Sequence, residues 1–262
     1  FTAKDNADVW AYSLTYNGQL LSGAGASGTR TTQQEISFKW DGRYGTGTLL
    51  GQGQHEIVLT LCDSVGNSMS EKVFITIDNT APSIEDVMFS NDIVSSAQPL
   101  EISFTGIEAT GQSMYNIIIG GRVPGGTLST HPTGIIPAAQ GSAYFVWPAK
   151  DTSGAPFAEG EHLVEISLMD MAGNVSTVTR TVRVDGTPPR LSNLAISAPY
   201  FSPYGSPSTN IISFNGSDNL GTWTYKISIN GIPLDGTPSS TGLLASPGTM
   251  SFAWNGKNIQ GS

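Results

Sequence analysis

A six-residue phrase recurs at a fixed interval in this chain. Ser37-Phe38-Lys39-Trp40-Asp41-Gly42 is answered by Tyr144-Phe145-Val146-Trp147-Pro148-Ala149 and by Ser251-Phe252-Ala253-Trp254-Asn255-Gly256, which sets the tryptophans 107 residues apart each time. Downstream the register holds, with Asp63-Ser64-Val65-Gly66-Asn67 against Asp170-Met171-Ala172-Gly173-Asn174. Asp78-Asn79-Thr80-Ala81-Pro82 likewise stands against Asp185-Gly186-Thr187-Pro188-Pro189. Solenoid and propeller repeats run to about 20–50 residues, whereas a unit of about 100 can bury a core of its own. The chain is therefore an array of about two and a half domain-sized copies, which we place at 1–81, 82–188 and 189–262.

Each copy carries the same strand signals. Phe1, Phe104 and Phe214 are followed eleven residues later by Tyr12, Tyr115 and Tyr225. From those tyrosines apolar residues alternate (Tyr12, Leu14, Tyr16; Tyr115, Ile117, Ile119; Tyr225, Ile227, Ile229), which predicts one half-buried strand per copy. Asn17-Gly18, Gly120-Gly121 and Asn230-Gly231 behind it predict a hairpin turn with positive φ. The Gly-, Ser-, Thr- and Pro-rich stretches 23–32, 125–140 and 235–248 read as loops, and the Phe-x-Trp strand that follows reads as a central one. Gly53 and Gly160 open the longest strand, whose apolar face is Ile57, Leu59 and Leu61 in one copy and Val164, Ile166 and Leu168 in the other. Asp63 and Asp170 begin turns, because Asp bonds its own backbone ahead and Gly and Asn tolerate left-handed φ. Trp10 and Trp223 share a strand face with the tyrosines and extend the core. No stretch longer than about eight residues keeps a helical period, so the fold class is all-β.

Composition bounds the function. The net charge is −9 and the twelve Lys and Arg are scattered, which argues against nucleic acid, whose binding rests on a basic footprint. The acidic, cation-poor balance suits an extracellular or cell-surface location. A single cysteine, Cys62, excludes an internal disulfide and a thiolate zinc cage, and Met169 at its repeat address marks it as an apolar filler. No run approaches the ~18 apolar residues of a membrane span, and no basic-then-apolar leader opens the chain.

The order of motifs is specific. Asp-x-Thr-x-Pro, Phe-x-x-x-Asp-Asn, Tyr-x-hydrophobic-x-hydrophobic-Asn-Gly, Phe-x-Trp-Asp-Gly, Gly-x-His-x-hydrophobic and Asp-x-x-Gly-Asn together resemble the bacterial immunoglobulin-like repeats of large surface and secreted proteins. The Trp-Asp-Gly to Gly-Asn half is also similar to the immunoglobulin-like domain of flagellar hook-capping proteins. The resemblance implies tandem immunoglobulin-like β-sandwich domains and no single role, since such modules are joined to adhesins, stalks, filaments and hydrolases alike. The middle unit departs from it with Glu108-Ala109 where the outer units have Asp5-Asn6 and Asp218-Asn219, and with Pro148-Ala149 where they have Asp41-Gly42 and Asn255-Gly256. Measured against the middle unit, the first lacks opening strands and the third lacks closing ones, so we expect a longer protein of which this is part.

No catalytic constellation emerges, and we assign no catalytic, cofactor-binding or metal residue. His55 and His162 share a repeat address and are scaffold; His131 stands between Thr130 and Pro132 without a sequence partner. No nucleophile elbow, metal-binding helix motif or phosphate loop occurs. Calcium at the domain junctions is the one cofactor the acidic residues raise, through Asp5, Asp8, Asp63, Asp78 and Asp185, against the simpler role of Asp in turns and at strand ends. Pro199-Tyr200-Phe201-Ser202-Pro203-Tyr204, unique to the third unit, suggests either packing across a junction or ring stacking on a glycan. The expected function is a non-catalytic structural spacer of a long surface protein, partnered by its other domains and capable of self-association into a fibre. The alternatives are an adhesin or glycan-binding module, and an accessory region of a secreted hydrolase.

Overall fold

The structure is a computed structural model that describes residues 1–3, 9–31, 33–127, 129–261. Every regular element among them is a β-strand. The middle unit is the most complete. One sheet runs Ser83–Phe89, Leu100–Glu108, Ala139–Trp147, all antiparallel. The other runs Ile93–Val94, Val175–Val184, Gly160–Asp170, Ser113–Ile119, Thr133–Ile136, with Ile93–Val94 parallel to its neighbour. Three strands facing five, the first hairpin partner switching sheets, is an immunoglobulin-like sandwich.

Alternation decides which side chains meet between those sheets. Leu100, Ile102 and Phe104 from one sheet face Ile117, Ile119, Val164, Ile166 and Leu168 from the other, all at most 2% exposed. Each such side chain contributes about 1.5–3 kcal/mol through removal from water. Phe145 and Trp147 complete this core, and Phe157 meets the indole of Trp147 edge-on at 4.9 Å. Ile57 is buried at the address of Val164, while Leu59 and Leu61 are only partly covered. The apolar face of the longest strand was therefore placed correctly in both copies.

Three turn expectations hold in geometry. Asn17-Gly18, Gly120-Gly121 and Asn230-Gly231 all have positive φ at both residues, as a two-residue hairpin with the right twist requires. The tryptophans share a staple: Trp40 Nε1 donates to the Arg43 carbonyl, Trp147 Nε1 to that of Lys150 at 2.9 Å and Trp254 Nε1 to that of Lys257 at 2.7 Å. Each indole thus closes the turn that follows it. Gly42 and Gly256 have φ of 80° and 84° in that turn, and Ala149 takes φ 58° at the same address, a conformation L-residues rarely adopt.

Four expectations are corrected. The Phe-x-Trp strand is central in the third unit, where Gly248–Asn258 is the middle of five strands, but not in the middle unit, where Ala139–Trp147 is the edge of its three-stranded sheet. In the first unit the ladder at this address is the short pair Gln34–Glu35 with Thr2–Ala3, in the register that Ser142 and Gly141 keep with Thr105 and Gly106, while residues 36–40 carry none. The tyrosine strand of the third unit is split, with Thr222–Lys226 in a two-stranded sheet and Ser228–Ile229 crossing to the other sheet. In the middle unit the same strand runs unbroken along a ladder from Ser113↔Asp170 to Ile119↔Val164, whereas among the described residues of the third unit its two halves pair with Thr241–Ala245 and Ile232–Thr237. The stretches read as loops each contain a strand, Ser27–Arg30, Thr133–Ile136 and Thr241–Ala245.

Those three strands explain the repeated tyrosines. Tyr12, Tyr115 and Tyr225 stand opposite Gly28, Gly134 and Gly242, and a Cβ on Gly134 would come within 2.5 Å of the Tyr115 ring. The ring lies where a side chain would otherwise be, the familiar covering of a strand glycine by a cross-strand aromatic. The hydroxyls then donate to the carbonyls of Gly25, His131 and Ser239 at 3.2, 3.4 and 3.1 Å. In every copy the accepting residue lies three before the glycine.

Candidate functional site

The residues that could do work between units gather at the two junctions. The strand Ser68–Ile77 ends at Asp78, and its counterpart Val175–Val184 ends at Asp185. At the first junction Asp78 Oδ1 accepts from Gln52 Nε2 at 2.8 Å and from the Thr80 N–H at 3.1 Å. Asp78 Oδ2 accepts from the hydroxyl of Thr110, and the Asp78 carbonyl accepts from Asn174 Nδ2 at 3.0 Å. Gln52 Oε1 in turn accepts from the Asn79 N–H at 2.7 Å. One aspartate thereby ties the first unit, through Gln52, to the second, through Thr110 and Asn174. The Gln52 amide, then the Thr110 hydroxyl, hold the Asp78 carboxyl below its ordinary value, because donors favour the charged form.

The second junction repeats the plan with other residues. Glu159 occupies the address of Gln52, and its Oε1 accepts from the Gly186 N–H at 3.3 Å and from the Thr187 hydroxyl. Asp185 Oδ1 accepts from the Thr187 N–H at 3.1 Å. Asn219 reaches across from the third unit and donates to Glu159 Oε2 at 2.9 Å and to Asp185 Oδ1 at 3.1 Å. Prolines at 82, 188 and 189 flank these clamps and restrict the backbone further. At both junctions short polar contacts thus join residues on either side of the linker.

The Asp-x-x-x-Asn turns supply the receiving side. Asp170 Oδ1 accepts from the Ala172 and Asn174 N–H groups at 2.8 and 2.9 Å, and its Oδ2 from Asn174 Nδ2 at 2.8 Å. Asp63 does the same with Val65 and Asn67, at 3.0, 2.7 and 2.6 Å. The Asn67 side-chain amide is the first cause of the lowered carboxyl of Asp63. Turn chemistry was the sequence expectation; that Asn174 also grips the preceding unit was not, and nothing in a single turn motif signals it.

The other singled-out residues fall as follows. His55 Nε2 and His162 Nε2 lie 2.8 and 2.7 Å from the carbonyls of Gly51 and Ala158, four residues back in each case, which gives both histidines the same place in the scaffold. His131 is exposed, and only its carbonyl is engaged, by Tyr115. Glu108 is 4% exposed and accepts from the Thr110 N–H and hydroxyl at 2.9 Å each. Asp5 and Asp8 lie outside the described residues, as does residue 128 of the stretch 125–140. No group of three His, Cys, Asp or Glu among the described residues is placed to hold a metal ion. The carboxylates of Asp63, Asp78 and Asp185 are occupied by protein donors.

The aromatic cluster packs inside its own unit and not across a junction. Phe201 lies against Trp254 at 5.2 Å, with Pro203 beside Gly256. Tyr200 and Tyr204 are left 90% and 95% exposed. No helix of the described residues is long and apolar enough to cross a membrane.

Fold and junctions together define a tandem array of immunoglobulin-like β-sandwiches with polar clamps between them. No protein-family model and no curated protein matches the chain. Among solved structures it is similar to a tetra-tandem repeat in the extending region of a large adhesion protein (16% identity, 96% of this chain and 59% of that one, TM-score 0.30). It is similar also to part of a 1.5-MDa bacterial ice-binding adhesin (17%, 96% and 77%, TM-score 0.31). A third is a calcium-stabilised adhesin with which an Antarctic bacterium binds ice (18%, 96% and 58%, TM-score 0.33). The chain spans little more than half of the first and third of these.

Proposed function

We propose that the chain is a non-catalytic, semi-rigid spacer of a long extracellular or cell-surface protein, built of units 1–81, 82–188 and 189–262. The observation that carries this is the junction clamp: Gln52 with Asp78 and Glu159 with Asp185 stand at matching addresses, and each pair is tied to the following unit. The side chains differ between the junctions, yet both join the end of one unit to the start of the next by side-chain hydrogen bonds. A spacer must transmit position, and short proline-flanked linkers fastened on both sides do so with little freedom. Residual dipolar couplings measured on the whole chain test this. A spacer predicts one alignment tensor that fits the strands of the middle and third units together; independent tensors would refute it.

A second role, as a binding module, draws on Tyr200 and Tyr204, whose rings are almost wholly exposed beside the Phe201–Trp254 stack. Isolated exposed aromatics of this kind suit stacking on a sugar face or a partner. Glycan-array binding lost on Tyr200→Ala with Tyr204→Ala would support it, and absence of binding by the intact chain would end it.

A further inference from the structure

The middle unit turns all of its methionines outward. Met88, Met114, Met169 and Met171 are 67%, 50%, 38% and 75% exposed, and among the described residues the core between its sheets holds aliphatic and aromatic side chains and no sulfur. Methionine is ordinarily one of the residues most often buried, as Met250 of the third unit is at 3% exposure. Three of the four share one end of the sheet. Met114 and Met169 stand directly opposite each other on the outer face of the five-stranded sheet, which sets their Cβ atoms about 4.5–5.5 Å apart. Met171 follows in the turn and lies over Gly111, where an added Cβ would come 3.8 Å from the Met171 Cγ.

The fold does not ask for a thioether at these addresses. The first unit has Ala11, Cys62 and Ser64 where the middle one has Met114, Met169 and Met171. The third has Ala195 and Thr224 where the middle one has Met88 and Met114. Side chains that the scaffold replaces so freely are not there for packing. What a thioether has and these replacements lack is a sulfur that takes an oxygen atom from a peroxide and gives it up again to a reductase.

We propose that Met114, Met169 and Met171 form a sulfoxidation site for peroxide, with Met88 as a lone acceptor on the other sheet. A sulfur lone pair attacks one peroxide oxygen, and the O–O bond breaks as the S–O bond forms. The hydrogen on the transferred oxygen passes to the departing one, which leaves as water; sulfur is oxidised by two electrons and the peroxide is reduced by two. Because the four side chains lie outside the core, the unit keeps its packing when they are oxidised. The inference rests on side-chain placement within one unit and is independent of the spacer role.

The test treats the whole chain, carrying Cys62→Ser, with hydrogen peroxide at neutral pH and follows each methionine by digestion and tandem mass spectrometry. We expect Met88, Met114, Met169 and Met171 each to gain one oxygen at least about tenfold faster than Met250, whose sulfur must wait for local opening. In urea, where burial is lost, the rates should converge. The oxidised chain should keep the amide signals of Ile102, Phe145 and Ile166 in place, and methionine sulfoxide reductases with a dithiol should remove the added oxygens. The proposal is overturned if Met114, Met169 and Met171 react no faster than Met250, or if the difference persists in urea, which would assign it to local sequence. It is overturned also if oxidation displaces the core signals, which would make these side chains part of the packing.

Discussion

Asn174→Ala separates the two jobs of one side chain. Asn174 Nδ2 donates to Asp170 Oδ2 within its turn and to the Asp78 carbonyl across the junction. Asn67, at the same address in the first unit, makes the same turn bonds to Asp63. Either substitution therefore removes a turn bond, and Asn174→Ala removes a cross-unit bond besides. A hydrogen bond contributes about 0.5–1.5 kcal/mol net, so the difference between the variants shifts the closed-to-open equilibrium of the junction by about twofold to tenfold. Spin labels at Glu71 and Thr177, in a Cys62→Ser background, report the spacing of the two units. Asn174→Ala should broaden that distance distribution and Asn67→Ala should leave it unchanged. Equal broadening by both, or by neither, would refute the assignment of Asn174 to the junction.

Three further outcomes follow from the same geometry. Because Asp78 is held below its ordinary carboxylate value in the folded chain, its contribution is full above the unfolded value and is lost as pH falls through the folded one; carbonyl chemical shifts should show the junction loosening only in that acid range, and Asp78→Asn should remove the dependence. Gly134→Ala drives a Cβ into the Tyr115 ring and should cost about 1–3 kcal/mol by overpacking, read as a lower denaturant midpoint for the middle unit. Trp147→Ala removes a side chain with no exposure and should cost the middle unit about 3–5 kcal/mol, more than Trp254→Ala costs the third, whose indole is only partly buried.

Repetition is what made this fold legible. Positions such as Ile57 and Val164, or Asp63 and Asp170, could be checked against one another, and alternation assigned their faces correctly. What escaped was whatever depended on a partner strand far away. Phe145-x-Trp147 pairs with Leu100, Glu101 and Ile102, more than 40 residues away, a neighbour that no local pattern contains. The loop-like stretches concealed strands because their Gly, Ser, Thr and Pro content reads as loop, when Gly28, Gly134 and Gly242 are there to admit a tyrosine ring. At the junctions Asp78 and Asp185 were visible as candidates, but Gln52, Glu159, Thr110 and Asn219 were not. Each comes from a different turn, and only the folded chain brings them together.

The central claim is that copies of one sandwich, each with its own core, stand in line. Single-molecule pulling on the whole chain tests it most directly. The middle unit, which has the largest buried core, should yield as one event that releases about 100 residues, roughly 330–360 Å of contour, separate from the events of its neighbours. A single rupture that releases the entire chain, or a continuous rise with no such step, would contradict the account.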